Sequence, residues 1–503
     1  MSAPLLYIDH LRKLALSRGD RPAFHEGQGT ITYAGLLAAA DAFAAGLAQA
    51  GVQRGERVAI AMRPSVAQVV AILGCLARGA VASSLNIRLT APELRAFLQP
   101  IAPALLVCDP EHHALAEAIG GDVRLLPDAN VAGPVRERLA PLWSDARIDH
   151  AVREDDLALI IPTGGTTGLP KGAVYTQRSV WLWTAACAFD EGRALDDHEL
   201  YCSPFFHSSI LSGWMSTLFS GGEISLLQGF SAGEALEAVA RGANFIMGPP
   251  TVFQALFAHP DFARTDRSRV RKLRIATTAA TPPFIEQLMT AFPAAQLSHT
   301  YGASEFGPVA NIRHPDMLAG RLTGVGYVRP GARVTIVDDQ MRPLPTGEEG
   351  ELVVDCLWRS QGYFGRPEET AATYSDLGVR IGDIGRLDAL GWLTISGRKK
   401  DIIVSGGENV FPSEVEGVLS RHPAVEGIIV YGASDPHWGE RVEAAVALRT
   451  GMTLTEAELI EFGRRELGGY KLPKRVRIMD VLPLTTMNKP DRQRLSRAAS
   501  EEA

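Results

Sequence analysis

The sequence predicts an α/β protein with a large N-terminal domain and a smaller, mobile C-terminal α+β domain. Up to about residue 300, apolar strand-like segments alternate with helical segments, a pattern typical of doubly wound sheets made of parallel β-α-β units. Near Gly324 the pattern changes, because strands follow one another without helices and predict a small antiparallel, barrel-like subdomain at about 324–397. We therefore predict domains at 1–399 and 400–503.

Apolar periodicity places the individual elements of the N-terminal domain. Helices are predicted at 5–16, 34–50, 66–77, 90–99, 179–189 and 232–242. Strands are predicted at 30–33, 57–62, 79–85, 104–108, 157–161, 222–227, 245–248, 273–278 and 297–301. The longest apolar run, 66–77, is too short to cross a bilayer and is expected to be a buried helix.

The later elements are shorter. Strands at 334–338 and 350–354 belong to the barrel-like part. The C-terminal domain is predicted to contain a hairpin of 402–404 with 409–411, helices at 413–420 and 456–467, strands at 428–431 and 442–448, and a basic tail.

The segment 163–172 reads Thr-Gly-Gly-Thr-Thr-Gly-Leu-Pro-Lys-Gly and follows an apolar strand. Glycines let backbone N–H groups approach an anion closely, threonine hydroxyls add donors, and Lys171 adds a positive charge. Pro170 precedes the lysine, which separates the segment from a Walker loop. The pattern predicts a loop that closes over nucleotide phosphates, with a flexible surface turn as the alternative.

Composition narrows the class of protein. A net charge of -7 gives no general attraction to nucleic acid or to anionic membranes. The five cysteines are scattered and never form a Cys-x-x-Cys pair, which argues against a disulfide framework or zinc site. The N-terminus lacks a signal-peptide core. We expect a cytoplasmic enzyme without stable membrane insertion.

Five motifs follow one another along the chain: the glycine-rich segment, 301–305 (Tyr-Gly-Ala-Ser-Glu), 382–383 (Gly-Asp), 397–401 (Gly-Arg-Lys-Lys-Asp) and 488–489 (Asn-Lys). Together they resemble the adenylate-forming (ANL) superfamily of acyl-CoA synthetases, peptide-synthetase adenylation domains and beetle luciferases. The resemblance extends from Thr32 to Leu495. It implies that ATP, with Mg²⁺, activates a carboxylate as acyl-AMP and that pyrophosphate leaves.

The resemblance assigns nucleotide-binding roles to several residues. The β- and γ-phosphates would be held by Lys171 together with Thr163, Gly164, Gly165, Thr166, Thr167 and Gly168. Glu305 would bind Mg²⁺, since a carboxylate supplies hard oxygen ligands, and Ser304 could donate to the phosphates. Considered alone, Glu305 would be a charge at a helix N-terminus.

The adenosine contacts are implied in the same way. Tyr301 would stack on adenine, next to Gly302, although a single aromatic residue is more often core packing. Asp383 would accept both ribose hydroxyls, or else be a solvated turn residue, and Arg398 would also reach the ribose.

Lys489 resembles the catalytic lysine that bridges the substrate carboxylate and the α-phosphate. Members of the superfamily usually have glycine before this lysine, where Asn488 stands here. Asparagine tolerates positive φ better than most residues, so we expect the turn to be kept.

A second half-reaction is implied in which the C-terminal domain rotates about Lys400, withdraws Lys489 and lets a thiol attack. Gly406 and Gly407 would then run beside the pantetheine arm of coenzyme A, and they also fit a tight hairpin. His207, after two phenylalanines, would line the acyl pocket and gate the thiol tunnel, or be a structural histidine.

Substrate choice is expected to depend on Ala279, Ala280 and Thr281. Many superfamily members have Gly-Gly-Ala before the following proline, so the added methyl groups should narrow the acyl pocket. No arginine or lysine stands out in 205–215 for a second carboxylate. An apolar fatty or aryl acid is therefore favoured over a dicarboxylate or amino acid.

The sequence leads to the hypothesis of an ATP-dependent carboxylate–CoA ligase, with a small-molecule carboxylate, ATP and CoA as its partners and no nucleic acid. One alternative is an acyl-AMP ligase that loads a carrier protein. The other is a nucleotide-binding paralogue without turnover. The joint presence of Lys171, Glu305 and Lys489 argues against this alternative. A homodimer is left open.

Overall fold

The computed structural model describes residues 4–126, 135–146, 151–163, 170–276, 280–485 and 489–501. The chain forms two compact units, the first made of Met1–Arg333 and Val354–Val379, the second of Val334–Val353 and Arg380–Ala503. The predicted boundary between Lys399 and Lys400 falls inside the second unit and stays a prediction about which part of the chain moves.

The first unit begins with alternating helices and strands. Up to the glycine-rich segment the helices are α1 (Tyr7–Arg18), α2 (Tyr33–Gln49), α3 (Val66–Arg78), α4 (Ala91–Leu98), α5 (His113–Ile119) and α6 (Val135–Arg138). The strands are β1 (Pro22–Glu26), β2 (Gly29–Thr32), β3 (Arg57–Ala61), β4 (Val81–Ser84), β5 (Leu105–Cys108), β6 (Val123–Leu125) and β7 (Leu157–Thr163).

The alternation continues after that segment. The strands are β8 (Lys171–Thr176), β9 (His198–Tyr201), β10 (Glu223–Leu226), β11 (Phe245–Gly248), β12 (Lys272–Ile275), β13 (Gln296–Ala303), β14 (Gly307–Arg313) and β15 (Gly326–Val328). The helices are α7 (Gln177–Asp190), α8 (Ser209–Ser212), α9 (Trp214–Phe219), α10 (Ala232–Ala240), α11 (Pro250–Ala258), α12 (Pro282–Ala291) and α13 (His314–Leu318).

The remaining elements are mostly strands. In chain order they are β16 (Ala332–Val337), β17 (Gly350–Cys356), α14 (Pro367–Thr373), β18 (Tyr374–Ser375), β19 (Gly378–Val379), β20 (Asp383–Leu387), β21 (Trp392–Arg398), β22 (Ile403–Ser405), β23 (Glu408–Val410), α15 (Pro412–Leu419), β24 (Val425–Asp435), β25 (Gly439–Leu448), α16 (Glu456–Arg464), β26 (Arg475–Ile478) and α17 (Arg492–Glu501).

Two sheets organise the first unit. One has the strand order β6-β5-β3-β4-β7-β8 and is parallel except for β8, which runs antiparallel to β7. The other contains the order β2-β1-β10-β9-β11-β12-β13-β14-β15, with a parallel centre and antiparallel pairs at β1–β2, β13–β14 and β14–β15. The predicted α/β fold is confirmed, and the antiparallel pairs at the sheet ends are an addition to it.

The second unit is mainly antiparallel. Strand β17 pairs with β16 and β20, and β20 pairs antiparallel with β21. A separate sheet has the order β23-β22-β25-β24, with β26 parallel to β25. Its core packs Val442 and Val446 against Val415, Leu419 and Leu459, which belong to helices α15 and α16.

The predicted basic tail is a helix, α17. Leu495 and Ala499 lie four residues apart and pack against Ile429, Tyr431 and Ala433 of β24. Because residues at i and i+4 share one helix face, these two side chains give an otherwise charged helix an apolar contact with the sheet, and Arg492 adds a hydrogen bond to the Val430 carbonyl of β24.

Helix α3 confirms the predicted buried helix, since every residue from Val66 to Ala77 is buried. It packs against α2 and also contacts strands β3 and β4. No helix in the described ranges combines the length and apolar character needed to cross a lipid bilayer. All five cysteines are free thiols.

Candidate active site

The ends of the glycine-rich segment are fixed by strand pairing. Thr163 is the last residue of β7 and Lys171 the first of β8, and the two are partners across the antiparallel pair. Thr163 is buried, while Lys171 is half-buried. Gly164, Gly165, Thr166, Thr167 and Gly168 lie outside the described residues. The register therefore places the lysine directly opposite the residue where the segment begins.

Lys171 lies over an aromatic ring. Its Nζ is 4.9 Å from the ring centroid of Tyr363, which is within the range of a cation–π interaction. Tyr363 is in the segment before α14, and its backbone forms a bridge with Ala173 of β8. The charged end of Lys171 is thus oriented by a residue that no sequence motif indicated.

Glu305 lies in the turn between β13 and β14 and is only 8% exposed. The hydroxyl of Tyr363 donates a hydrogen bond to Glu305 Oε1 at 2.8 Å. Ser360 binds the backbone of the same residue, since its N–H and its hydroxyl both donate to the Glu305 carbonyl at 2.9 and 2.8 Å. Glu305 is therefore a held, buried carboxylate and not the charge of a helix N-terminus.

The neighbouring residues of this motif are fixed by the same two strands. Tyr301 and Gly302 belong to β13, and the Ser304 carbonyl accepts a hydrogen bond from the Tyr175 hydroxyl. Tyr301 is half-buried, with its ring centroid 6.2 Å from that of Phe306. Part of the ring is exposed, and its stacking on adenine stays a prediction.

Gly302 is required by the close approach of β14. A Cβ at this position would lie 2.3 Å from the carbonyl oxygen of Gly307 and 2.8 Å from Pro308 Cα. The strand register shifts between Tyr301 and Gly302, so the absence of a side chain allows the turn that carries Glu305 to close.

In the second unit, Asp383 and Arg398 form a cross-strand ion pair. They are register partners on β20 and β21, and Arg398 Nε donates to Asp383 Oδ1 at 2.9 Å. Asp383 is 4% exposed, so it is not the solvated turn residue that Gly382 before it also permits. Burying a carboxylate requires such a partner, and Arg398 supplies it.

Lys400 follows in a short 3-10 turn, Lys399–Asp401. Partial desolvation lowers the pKa of its ammonium group, and the charges of Arg398 and Arg492 act in the same direction. A cavity of about 260 Å³ lies beside it, lined in part by Tyr431, Glu440 and Arg492. Lys400 is exposed beside this cavity, and its role as a hinge stays a prediction.

Gly406 and Gly407 form the predicted hairpin turn between β22 and β23, with φ of +61° and +86°. Two central residues at positive φ are the mark of a type I′ hairpin turn. A Cβ at Gly406 would lie 2.7 Å from the Trp438 ring, whereas nothing lies within 4 Å of the same position at Gly407. The hairpin interpretation is confirmed, and the contact with pantetheine stays a prediction.

The backbone of Lys489 is hydrogen-bonded to Thr485. The Lys489 N–H donates to the Thr485 hydroxyl at 3.2 Å, and the Thr485 N–H donates to the Lys489 carbonyl at 2.8 Å. Asn488 lies outside the described residues. These two bonds fix the backbone of the predicted catalytic lysine, while its role stays a prediction.

His207 lies in the loop after β9 and is half-buried, with its ring centroid 4.6 Å from that of Phe206. Phe205 and Phe206 are buried and line a small apolar pocket with Ser84, Ile161 and Ile210. This pocket fits the predicted apolar lining but does not decide between gating and a structural role for the histidine.

Of the three residues predicted to narrow the acyl pocket, Ala280 and Thr281 are described, and they precede α12. Ala279 is outside the described residues. Ala280 is half-buried, and Thr281 is the residue before α12, where its carbonyl accepts from the Phe284 N–H at 3.0 Å. Ala280 and Thr281 therefore belong to the connection between the parallel strand β12 and α12, and such connections at the carboxyl ends of strands are where open α/β sheets bind ligands.

Two comparisons identify what the chain is similar to. The family model described as AMP-binding enzyme matches residues 11–364, and the model described as AMP-binding enzyme C-terminal domain matches residues 414–489. Feruloyl-CoA synthase of Amycolatopsis sp is 33% identical over 471 residues, covering 93% of this chain and 94% of the relative. The 2-succinylbenzoate–CoA ligase of Geobacillus kaustophilus (strain HTA426) is 33% identical over 489 residues and covers 97% of both chains.

A comparison of folds gives the same result. The crystal structure of o-succinylbenzoate CoA synthetase (MenE) from Bacillus subtilis, in complex with its acyl-adenylate intermediate, superimposes with a TM-score of 0.86 at 27% identity. The match covers 98% of each chain.

Proposed function

The chain belongs to the AMP-binding enzyme family and is an AMP-forming acid–thiol ligase, and we propose that it joins an apolar fatty or aryl carboxylate to coenzyme A. In the first half-reaction a carboxylate oxygen bonds to the α-phosphorus of ATP as the bond to pyrophosphate breaks. In the second, the thiolate of CoA bonds to the acyl carbon and AMP leaves. The carboxylate and the thiolate both react ionised, so neither step requires a dedicated general base.

The observation that carries the proposal is the pairing of opposite charges around Tyr363. A buried carboxylate, Glu305, and an ammonium group, Lys171, contact the edge and the face of the same phenol. Lys171 stands at the end of the glycine-rich segment, where a positive charge would neutralise phosphate oxygens. Phosphoryl transfer depends mainly on such positioning and charge stabilisation.

The site fits Mg²⁺ held together with ATP. Among the described residues no group of three or more His, Cys, Asp or Glu side chains could hold a metal by itself. Mg²⁺ is commonly bound through one or two carboxylates plus substrate phosphates, so a single buried Glu305 agrees with this mode. When bound, the ion would neutralise charge on the phosphate oxygens.

Other residues of the chain would bind the adenosine, the reacting groups and the pantetheine arm. We propose that Tyr301 stacks on adenine and that Asp383, oriented by Arg398, accepts the ribose hydroxyls. Lys489 would bridge the substrate carboxylate and the α-phosphate during adenylation and withdraw about the Lys400 hinge before thioester formation. Gly406 and Gly407 would then border the pantetheine arm, because the type I′ turn leaves backbone at the surface.

The proposed acid is apolar. Phe205 and Phe206 line a small pocket together with Leu159, Ile161 and Ile210. One curated relative is named for feruloyl-CoA, an aromatic acyl thioester, which supports an aryl substrate. The five unpaired cysteines support a reducing compartment, so we propose a cytoplasmic location.

The test is pyrophosphate release with a panel of fatty, aryl, amino and dicarboxylic acids, each with and without CoA. We expect pyrophosphate with apolar acids and acyl-CoA only when CoA is present. Acyl transfer to a carrier protein but not to CoA would establish the carrier-loading alternative. The absence of adenylation with every acid would refute the ligase and leave a non-catalytic nucleotide-binding protein.

A further inference from the structure

Tyr363 is the point at which three parts of the first unit meet. Its hydroxyl donates to Glu305 Oε1 at 2.8 Å, and the Nζ of Lys171 lies 4.9 Å from its ring centroid. The phenol is 8% exposed. Its edge therefore holds the carboxylate while its face holds the cation, and neither contact excludes the other.

The backbone around Tyr363 is tied to the same two neighbours. On one side, Val174 N–H donates to the Gly362 carbonyl and Phe364 N–H donates to the Gly172 carbonyl, at 3.0 and 2.9 Å. On the other side, Ser360 donates twice to the Glu305 carbonyl. The segment 360–364 thus connects the start of β8 to the turn that contains Glu305.

We propose that Tyr363 is a positioning residue that sets the separation and orientation of Glu305 and Lys171 for the ATP phosphates and Mg²⁺. The inference rests on the proposed function of those two residues and adds the group through which they act together. The hydroxyl orients the carboxylate, and the ring face orients the ammonium group.

A tyrosine suits this position for a chemical reason. A phenol carries its proton at neutral pH, so the Tyr363 hydroxyl is a donor to the Glu305 carboxylate. Residues that orient a metal-binding carboxylate from behind influence metal affinity although they do not touch the metal.

The two contacts can be separated by substitution. Tyr363→Phe removes the hydroxyl and keeps the ring for Lys171, whereas Tyr363→Leu removes both. Tyr374→Phe is the matched control, because Tyr374 packs edge-on against Tyr363 with centroids 5.6 Å apart and pairs its hydroxyl with Ser360. It removes a half-buried hydroxyl of the same cluster whose partner is Ser360, and it keeps the Tyr363 hydrogen bond to Glu305.

The direct measurement is Mn²⁺ binding in the presence of α,β-methylene-ATP, followed by water-proton relaxation. We expect Tyr363→Phe to weaken Mn²⁺ binding about 10-fold, as is typical when the orienting partner of a metal ligand is lost. Tyr374→Phe should change it by less than about 2-fold, and Tyr363→Leu should also weaken binding of the metal-free nucleotide by about 2- to 5-fold through loss of the cation–π contact.

Several results would overturn the proposal. These are equal Mn²⁺ affinity in Tyr363→Phe and the wild type, an equal loss in Tyr374→Phe, or no binding of the Mn²⁺–nucleotide complex to the wild type. The titration needs no turnover, so its outcome is distinct from that of the carboxylate panel. If adenylation is found, Tyr363→Phe should raise KM for MgATP more than it lowers kcat, which a general loss of folding would not produce.

Discussion

Arg398 donates from Nε to Asp383 Oδ1 at 2.9 Å, and the two residues face each other across neighbouring strands. The pair gives a nearly fully buried carboxylate a partner of opposite charge and holds its Oδ1 in place. If Asp383 accepts the ribose hydroxyls, its replacement should affect nucleotide binding more than folding.

We therefore expect Asp383→Asn to raise the KM for ATP by about 10-fold or more, since hydrogen bonds to a charged group contribute about 1.5–3 kcal/mol. The amide retains one acceptor oxygen but loses the charge that Arg398 requires. The measurement is ATP dependence of pyrophosphate release, with the exposed Asp480→Asn as control. An unchanged KM for ATP would refute the assignment of Asp383 to the nucleotide site.

Lys489→Ala should separate the two half-reactions. Loss of a contact to the developing charge costs about 3–4 kcal/mol, so acyl-AMP formation should fall by about 10²- to 10³-fold. Thioester formation from supplied acyl-AMP should remain within a few fold of the wild type, because in the proposed mechanism the lysine is withdrawn by then. Replacement of the exposed Lys13 on α1 should change neither rate. An equal fall in both would contradict the rotating-domain assignment.

Gly302→Ala should destabilise the first unit. The added methyl group would lie 2.3 Å from the Gly307 carbonyl oxygen, so β13 and β14 must separate, at a cost of about 1–3 kcal/mol. We expect a lower midpoint of thermal unfolding together with weaker nucleotide binding, because Tyr301 and Glu305 flank the disturbed pair. Gly229→Ala, where a Cβ would meet nothing within 4 Å, is the control. An unchanged midpoint of thermal unfolding for Gly302→Ala would show that β13 and β14 separate without a measurable loss of stability, which would contradict the prediction.

Stability should fall as the pH drops below neutral. Burial lowers the pKa of His198 to about 4, with His25 acting in the same direction. Because the unfolded histidine titrates near 6.5, the unfolded chain binds a proton that the folded chain excludes, so stability is complete above pH 6.5 and is lost between pH 6.5 and 4.

The size of this effect follows from the linkage. One pKa unit corresponds to about 1.4 kcal/mol, and we expect a loss of about 1–2 kcal/mol between pH 7 and 5. Urea unfolding at the two pH values measures it. His198→Gln should reduce the pH dependence, whereas His113→Gln, at the surface of α5, should leave it intact. The same slope in all three proteins would show that other groups dominate.

Much of the fold could be predicted because apolar periodicity reports directly on burial. The run from Val66 to Ala77 predicts a buried helix, and the segment at 57–62 predicts a buried strand. Helix α17 could not be found in this way, because its apolar contact with the sheet comes from Leu495 and Ala499 and most of its other residues resemble a solvated tail.

In the candidate site, too, some residues can be predicted from sequence motifs and others only from the folded structure. The motifs identify Glu305 and Lys171 as residues of the right chemistry, but Tyr363 comes 58 residues after Glu305, and only folding brings the two together. Aromatic residues between glycines at 362–365 are a weak signal, since they fit core packing equally well. The burial of Asp383 likewise depends on β21, whose pairing with β20 no local pattern specifies.

Helix α3 has a consequence for how the protein is made. Every side of this helix is apolar and buried in the folded protein, so an unfolded chain would expose apolar surface to water. The sheet that covers it is completed only after β7 has been synthesised and pairs with β4. Until then the nascent chain exposes a continuous apolar surface that is prone to aggregation. We therefore expect chaperone supply and translation speed, rather than the stability of the folded protein, to set the yield of native enzyme.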